Sequence, residues 1–118
     1  MAGERNIEFS ERKVAAGHLV VGLKRPTSID FFNADDFANR LSEAVEKGEH
    51  RLVIDFTNIT ALSSKGLGAL ILLLNSVKQK NGVLRLFNLN DRVRETFKIT
   101  RMDALFDILP DEASAITP

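Results

Sequence analysis

A chain of 118 residues, 44% hydrophobic and 27% charged, has the balance of one folded domain with its own core rather than that of a disordered chain. Basic and acidic side chains number 16 each, so bulk attraction to nucleic acid or to an anionic membrane is not implied. Cysteine is absent, which excludes a disulfide framework and a thiolate metal site.

In chain order, Ile7 and Phe9 alternate with Glu8 and Ser10, the pattern of an edge strand with one dry face. Ala16-Gly17 reads as a turn into a second strand over residues 18–23, and Arg25-Pro26-Thr27-Ser28 as a loop, because proline cannot continue a ladder. A helix starts at Asn33: Ala34, Phe37, Leu41, Ala44 and Val45 recur with helical spacing, and Gly48 stops it. Leu52-Val53-Ile54 sit consecutively, as in a strand buried on both faces. A helix over 64–79, closed by Asn81-Gly82, precedes a strand over 83–87. Asp91 is expected to cap a short helix that turns Val93 and Phe97 inward. Residues 105–109 read as a last strand ended by Pro110, followed by a final helical turn or two. The order β-β-α-β-α-β-α-β-α predicts an α/β domain: a mixed sheet of about five strands with right-handed crossovers and helices packed against it. The domain is expected to span residues 1–118, with a core from about 6 to 116.

Catalytic signatures are missing. A P-loop needs glycines that run into Gly-Lys-Ser/Thr, whereas Lys65 precedes Gly66 and Gly68. Gly66-Leu67-Gly68 lacks the third glycine of a dinucleotide fingerprint, Ile71 standing in its place. The serine elbow Gly-x-Ser-x-Gly fails because Leu62 stands two residues before Ser64. His18 and His50 are expected at the surface boundary rather than in a triad. Asp35-Asp36 suits the solvated first turn of a helix, not a metal site. Arg92, Arg94, Lys98 and Arg101 interleave with Asp91, Glu95 and Asp103, as on a solvated helix face. No enzymatic activity, cofactor or metal is expected; a small nucleotide-binding enzyme is the remote alternative.

The stretch TALSSKGLGALILLL, residues 60–74, is different. Ser63 or Ser64 is placed to cap the helix that follows, its hydroxyl accepting an orphan backbone N–H. The same helix end stabilises a phosphate through its N–H groups and dipole. Leu67, Leu70, Leu74 and Val77 form one stripe that should face the sheet, while Ala69, Leu72 and Leu73 fall largely on other faces. Either neighbouring helices cover those faces, or a partner does. The N-terminus MAGERNIEFSERK holds no signal-like apolar stretch, and the apolar run over 67–74 falls far short of the ~18–20 residues that cross a bilayer. A cytoplasmic location without membrane insertion is the expectation.

These residues resemble the STAS domains, in particular the anti-sigma factor antagonists. Asp55-Phe56-Thr57, then Ser63-Ser64-Lys65-Gly66-Leu67-Gly68, is similar to the family's strand ending in Asp-Leu/Phe-Ser and its helix start Asp-Ser-Ser/Thr-Gly-Leu-Gly. Ile29-Asp30-Phe31-Phe32-Asn33-Ala34 is similar to the Leu-Asp-x-x-Thr/Asn-Ala segment upstream, and Val93-x-x-x-Phe97 with Leu105-Phe106 to the pattern downstream. The resemblance covers essentially the whole chain.

It implies a partner switch. The unphosphorylated antagonist binds an anti-sigma factor that is also a GHKL-type serine kinase; phosphorylation releases it, and a PP2C-type phosphatase resets the cycle. The phosphoserine falls on Ser64, with Ser63 as a competing acceptor, and the loop acid falls on Asp30. Docking is expected to use Asp30, Phe31 and Asn33, then Ser63, Ser64, Lys65, Gly66, Leu67 and Gly68, and Leu72 on the exposed side of the helix. Two positions depart from the pattern: Ser63 replaces an acid and Lys65 a small hydroxyl residue, changing local charge by about +2. Lys65 then either pairs with a phosphate or meets a partner with an acidic face. The rival reading keeps the fold without the switch, as a constitutive adaptor in a signalling scaffold or lipid-transport complex. A monomer is expected when free.

Overall fold

The computed structural model describes residues 7–118; the first six residues, including the start of the stretch read as free of a signal sequence and the expected beginning of the core, lie outside the described residues. The chain runs β1 (Phe9–Lys13), β2 (Leu19–Leu23), β3 (Thr27–Ile29), α1 (Ala34–Glu46), β4 (Arg51–Asp55), β5 (Ile59–Leu62), α2 (Ser64–Gln79), β6 (Val83–Phe87), α3 (Asp91–Ile99), β7 (Asp107–Leu109) and α4 (Glu112–Ala115). The main sheet has five strands in the order β1-β2-β4-β6-β7, antiparallel at the β1 edge and parallel elsewhere. This is the expected α/β architecture.

Alternation along the strands sorts side chains between two cores. Leu52 and Ile54 of β4 face the large cluster beneath α1, α2 and α3, while Val53 between them faces a small cluster with Val20, Phe87 and Ala115. β4 therefore carries an unbroken apolar run because both its faces are dry. α1 buries Phe37, Leu41, Ala44 and Val45, and α2 buries Leu67, Leu70, Leu73, Leu74 and Val77. Each leucine, valine or phenylalanine among them contributes about 1.5–3 kcal/mol by leaving water. The turn between α2 and β6 lies so close to the backbone leading into β4 that a Cβ on Gly82 would stand 2.3 Å from the His50 carbonyl oxygen, which is why glycine occupies that turn.

The second face of the sheet is covered by α4. Arg85 donates to the Ala115 carbonyl at 2.9 Å, and Arg12 on β1 pairs with Glu112. The hydrogen bond from Arg12 holds the Glu112 carboxyl below its ordinary range, and the same bond raises the guanidinium.

Four expectations are corrected. Arg25 to Ser28 is not all loop: β3 begins at Thr27 and pairs in parallel with β5, forming a two-stranded sheet that periodicity did not reveal in either segment. The last strand is three residues, because a 3-10 turn over Met102–Ala104 occupies the approach and leaves Leu105 half exposed while Phe106 is buried. Asn90, not Asp91, caps α3: its Oδ1 accepts the Val93 N–H at 2.8 Å. His18 is fully buried rather than at a surface boundary, because the 3-10 turn Ala15–Gly17 folds its ring inward, Nδ1 lying 3.0 Å from the Ala15 carbonyl oxygen.

Candidate partner-docking site

Two segments that open helices are tied together at one end of the molecule. The parallel pairing of β3 with β5 sets Ile29 opposite Leu62, and the Ser63 N–H donates to the Ile29 carbonyl at 2.8 Å. The loop after β3 and the first turn of α2 are thus neighbours by backbone hydrogen bonding, before any side chain is considered.

The loop is held by a reciprocal cap. Asp30 Oδ1 accepts the N–H groups of Phe32 (2.8 Å) and Asn33 (3.0 Å), and Asn33 Oδ1 accepts the Asp30 N–H at 2.8 Å. Asn33 is buried and its amide also donates to the Ser28 carbonyl at 2.9 Å. This is a capping-box arrangement built one turn ahead of α1. It leaves Phe31 and Phe32 at the surface, 65% and 63% exposed, with ring centroids 5.7 Å apart and edge to face.

At the start of α2 the two serines have different surroundings. Ser63 is the N-cap: extended backbone, half-buried, its Oγ accepting the Gly66 N–H at 3.1 Å. Ser64 is the first helical residue and is exposed. The first turn of α2 contains no acid, so the positive end of the dipole is free of a carboxylate and hospitable to an anion.

The glycines also divide. A Cβ on Gly66 would stand 2.8 Å from both Ile29 Cγ2 and Leu62 Cδ1, so Gly66 lets the helix start pack onto β3 and β5. A Cβ on Gly68 would meet nothing within 4 Å. Nothing in the packing of the described residues requires glycine there.

Two grooves flank this turn. One, of about 400 Å³, runs between α2 and α3 and is lined by Ser64, Leu67, Ile71, Thr96, Thr100 and Met102 among others. The other, of about 520 Å³, runs between α1 and α2 past Asp35, Asn39, Lys65, Gly68 and Leu72. Ser64 therefore borders the α3 side and Lys65 the α1 side. Lys65 Nζ lies 3.3 Å from Asp35 Oδ2, 3.4 Å from the Phe31 carbonyl oxygen and 4.3 Å from the centroid of the Phe31 ring. In this arrangement its charge is met by the neighbouring loop and helix.

Of the residues expected to dock a partner, Asp30, Phe31, Ser64 and Leu72 are exposed, and Ser63, Lys65 and Gly68 are half-buried. Asn33, Gly66 and Leu67 are buried and hold the others in place. Leu73, read as falling outside the buried stripe, is buried because α1 as well as the sheet packs against α2, whereas Leu72 is 70% exposed. Sequence reasoning missed Thr96, Thr100 and Met102 as groove walls, since apart from inward Val93 and Phe97 the helix read as a solvated charged face. No group of His, Cys, Asp or Glu among the described residues could hold a metal, and no helix there is long and apolar enough to cross a membrane.

Comparison with known proteins bears on this geometry. A model of the STAS domain matches residues 10–115. The anti-sigma-B factor antagonist of Listeria monocytogenes is 32% identical over 88 residues, covering 68% of this chain and 77% of that protein. The crystal structure of an anti-sigma factor antagonist from Mycobacterium paratuberculosis superposes with a TM-score of 0.81 at 21% identity, covering 95% of this chain and 92% of that one. The Bacillus cell fate determinant SpoIIAA in its phosphorylated form has the same fold, with a TM-score of 0.66 at 16% identity over 90% of this chain and 95% of that one.

Proposed function

The chain belongs to the STAS domain family, and we propose that it acts as an anti-sigma factor antagonist in a partner switch thrown at Ser64. The observation that carries the reading is the division between the serines: Ser63 is committed to the Gly66 N–H, while Ser64 stands exposed on the first turn of α2. The name of the Listeria relative and the phosphorylated form of SpoIIAA support the same role.

In this reading the unphosphorylated protein binds an anti-sigma factor that is also a GHKL-type serine kinase. Asp30, Phe31, Lys65, Gly68 and Leu72 form its docking face, and buried Asn33, Gly66 and Leu67 shape it. The Ser64 hydroxyl oxygen attacks the γ-phosphorus of the kinase's ATP. An O–P bond forms, the bond to ADP breaks, and the hydroxyl proton passes to a base on the kinase. The product carries about −1.5 to −2 charges at neutral pH. The helix end accommodates that charge, but a packed interface does not, because the phosphate must be desolvated to re-dock. A PP2C-type phosphatase hydrolyses the ester and restores the docking face. The domain itself is the substrate and ligand of these enzymes and performs no catalysis.

The test incubates the protein with the purified kinase and ATP and maps the phosphate by mass spectrometry. Phosphate on Ser64, absent in Ser64→Ala and retained in Ser63→Ala, is expected. Modification of Ser63 alone would move the switch to the competing acceptor, and none would remove it and leave a constitutive adaptor.

A further inference from the structure

Three features around Phe31 are not explained by the fold. A large aromatic ring is 65% exposed although its loop is fixed by the Asp30–Asn33 box. Lys65 spends its ammonium group on the Phe31 ring, the Phe31 carbonyl oxygen and Asp35. The segment from Asp30 to Asp36 carries three exposed carboxylates and no basic residue, and Lys65 pairs with one of them, Asp35.

We propose that Phe31 is a preformed anchor that enters an apolar pocket rimmed by lysine or arginine on the partner, with Lys65 as the residue that positions it. The inference rests on the partner-switch reading and adds the chemistry of the partner's surface. A rigid aromatic side chain already held in its bound orientation loses little freedom on docking, which is the character of an interface hot spot. The negative charge of this segment, with Asp30 in the loop and Asp35 and Asp36 in the first turn of α1, selects a basic rim and steers its approach. Because Asp35 and Phe31 already meet the Lys65 charge, Lys65 does not call for an acidic partner. Leu72, 70% exposed on the α1 side of α2, extends the apolar contact along the groove.

The experiment titrates the full chain with the purified anti-sigma kinase of the same organism by calorimetry and by surface binding kinetics. Phe31→Ala is expected to weaken binding by about 30-fold or more. Phe31→Leu, which keeps part of the apolar bulk, should recover part of that loss. Lys65→Met, which keeps the aliphatic stem and removes the charge, should weaken binding several-fold through faster dissociation. Raising salt from about 0.05 to 0.5 M should slow association. Wild-type affinity in Phe31→Ala, with binding still lost in Ser64→Asp, would overturn the anchor and leave the switch intact. Association that quickens with salt would overturn the basic rim. Self-association of the isolated protein in sedimentation, abolished by Phe31→Ala, would assign the ring to a second copy and overturn the proposal. Failure of the wild-type protein to bind the kinase at all would overturn the switch and this inference together.

Discussion

Ser63 Oγ accepts the Gly66 N–H at 3.1 Å, and that single bond gives two adjacent hydroxyls different duties. Removing the cap in Ser63→Ala should cost about 1 kcal/mol of stability. Ser64→Ala, at an exposed helical position, should stay within about 0.5 kcal/mol of wild type. Thermal unfolding followed by circular dichroism distinguishes them; equal losses in both variants would contradict the assignment of the cap.

Gly66 and Gly68 are predicted to respond in opposite directions to alanine. At Gly66 the added methyl meets buried Ile29 and Leu62 at 2.8 Å, and overpacking of that kind costs about 1–3 kcal/mol. At Gly68 the methyl enters open space inside a helix, so Gly68→Ala should stabilise the isolated protein by up to about 1 kcal/mol. If the partner's backbone comes close at this point, the same variant loses affinity while gaining stability. Denaturant unfolding and a binding titration on the one protein check both halves.

Asn90 joins two elements as well as capping one. Its Oδ1 accepts the Val93 N–H at 2.8 Å while its Nδ2 donates to the Thr60 carbonyl at 3.2 Å, so α3 is fastened to β5. Asn90→Ala should cost about 1–2 kcal/mol, and Asp91→Ala, which removes only a first-turn charge, less than about 1 kcal/mol. Chemical denaturation midpoints rank the two variants; a larger loss for Asp91→Ala would contradict the assignment.

The attachment of α4 should weaken in acid. The Asp111 carboxyl is lowered first by the backbone N–H of Ser114 and then by its hydroxyl, and Glu112 by its hydrogen bond from Arg12. A carboxyl depressed in the folded state contributes stability above its unfolded value and loses it as pH falls through its folded value. The contribution is thus complete at neutral pH and fades below about pH 4. Methyl resonances of Leu109 and Ile116, which pack in the small cluster under α4, should shift in that range, and less so in Glu112→Gln. Methyl signals that stay constant through the acid range would contradict the linkage.

The order of elements was legible where the pattern is strong: α1 and α2 repeat a helical period over several turns, β4 is an unbroken apolar run between polar residues, and β1 alternates. β3 and β5 were not, since their pairing is set by where β2 and β4 deliver the chain rather than by alternation within so few residues. The cap at Asn90 was hidden by a neighbouring aspartate that is an equally good capping residue on paper. At the site, the importance of residues 63–68 could be read from the serines beside a glycine pair at a helix start. The orientation of Lys65 could not, because whether a long side chain turns toward Ser64 or toward Phe31 depends on α1 packing alongside α2.

The central claim is that charge on Ser64 governs partner binding. Its most direct test is the affinity of one preparation for the purified anti-sigma kinase before and after stoichiometric phosphorylation, with Ser64→Ala carried through the same treatment. The predicted result is tight binding that falls by about 100-fold or more on phosphorylation, as when a charge must be buried at an interface without a partner, and no change in Ser64→Ala. Equal affinity for the phosphorylated and unphosphorylated forms would contradict it.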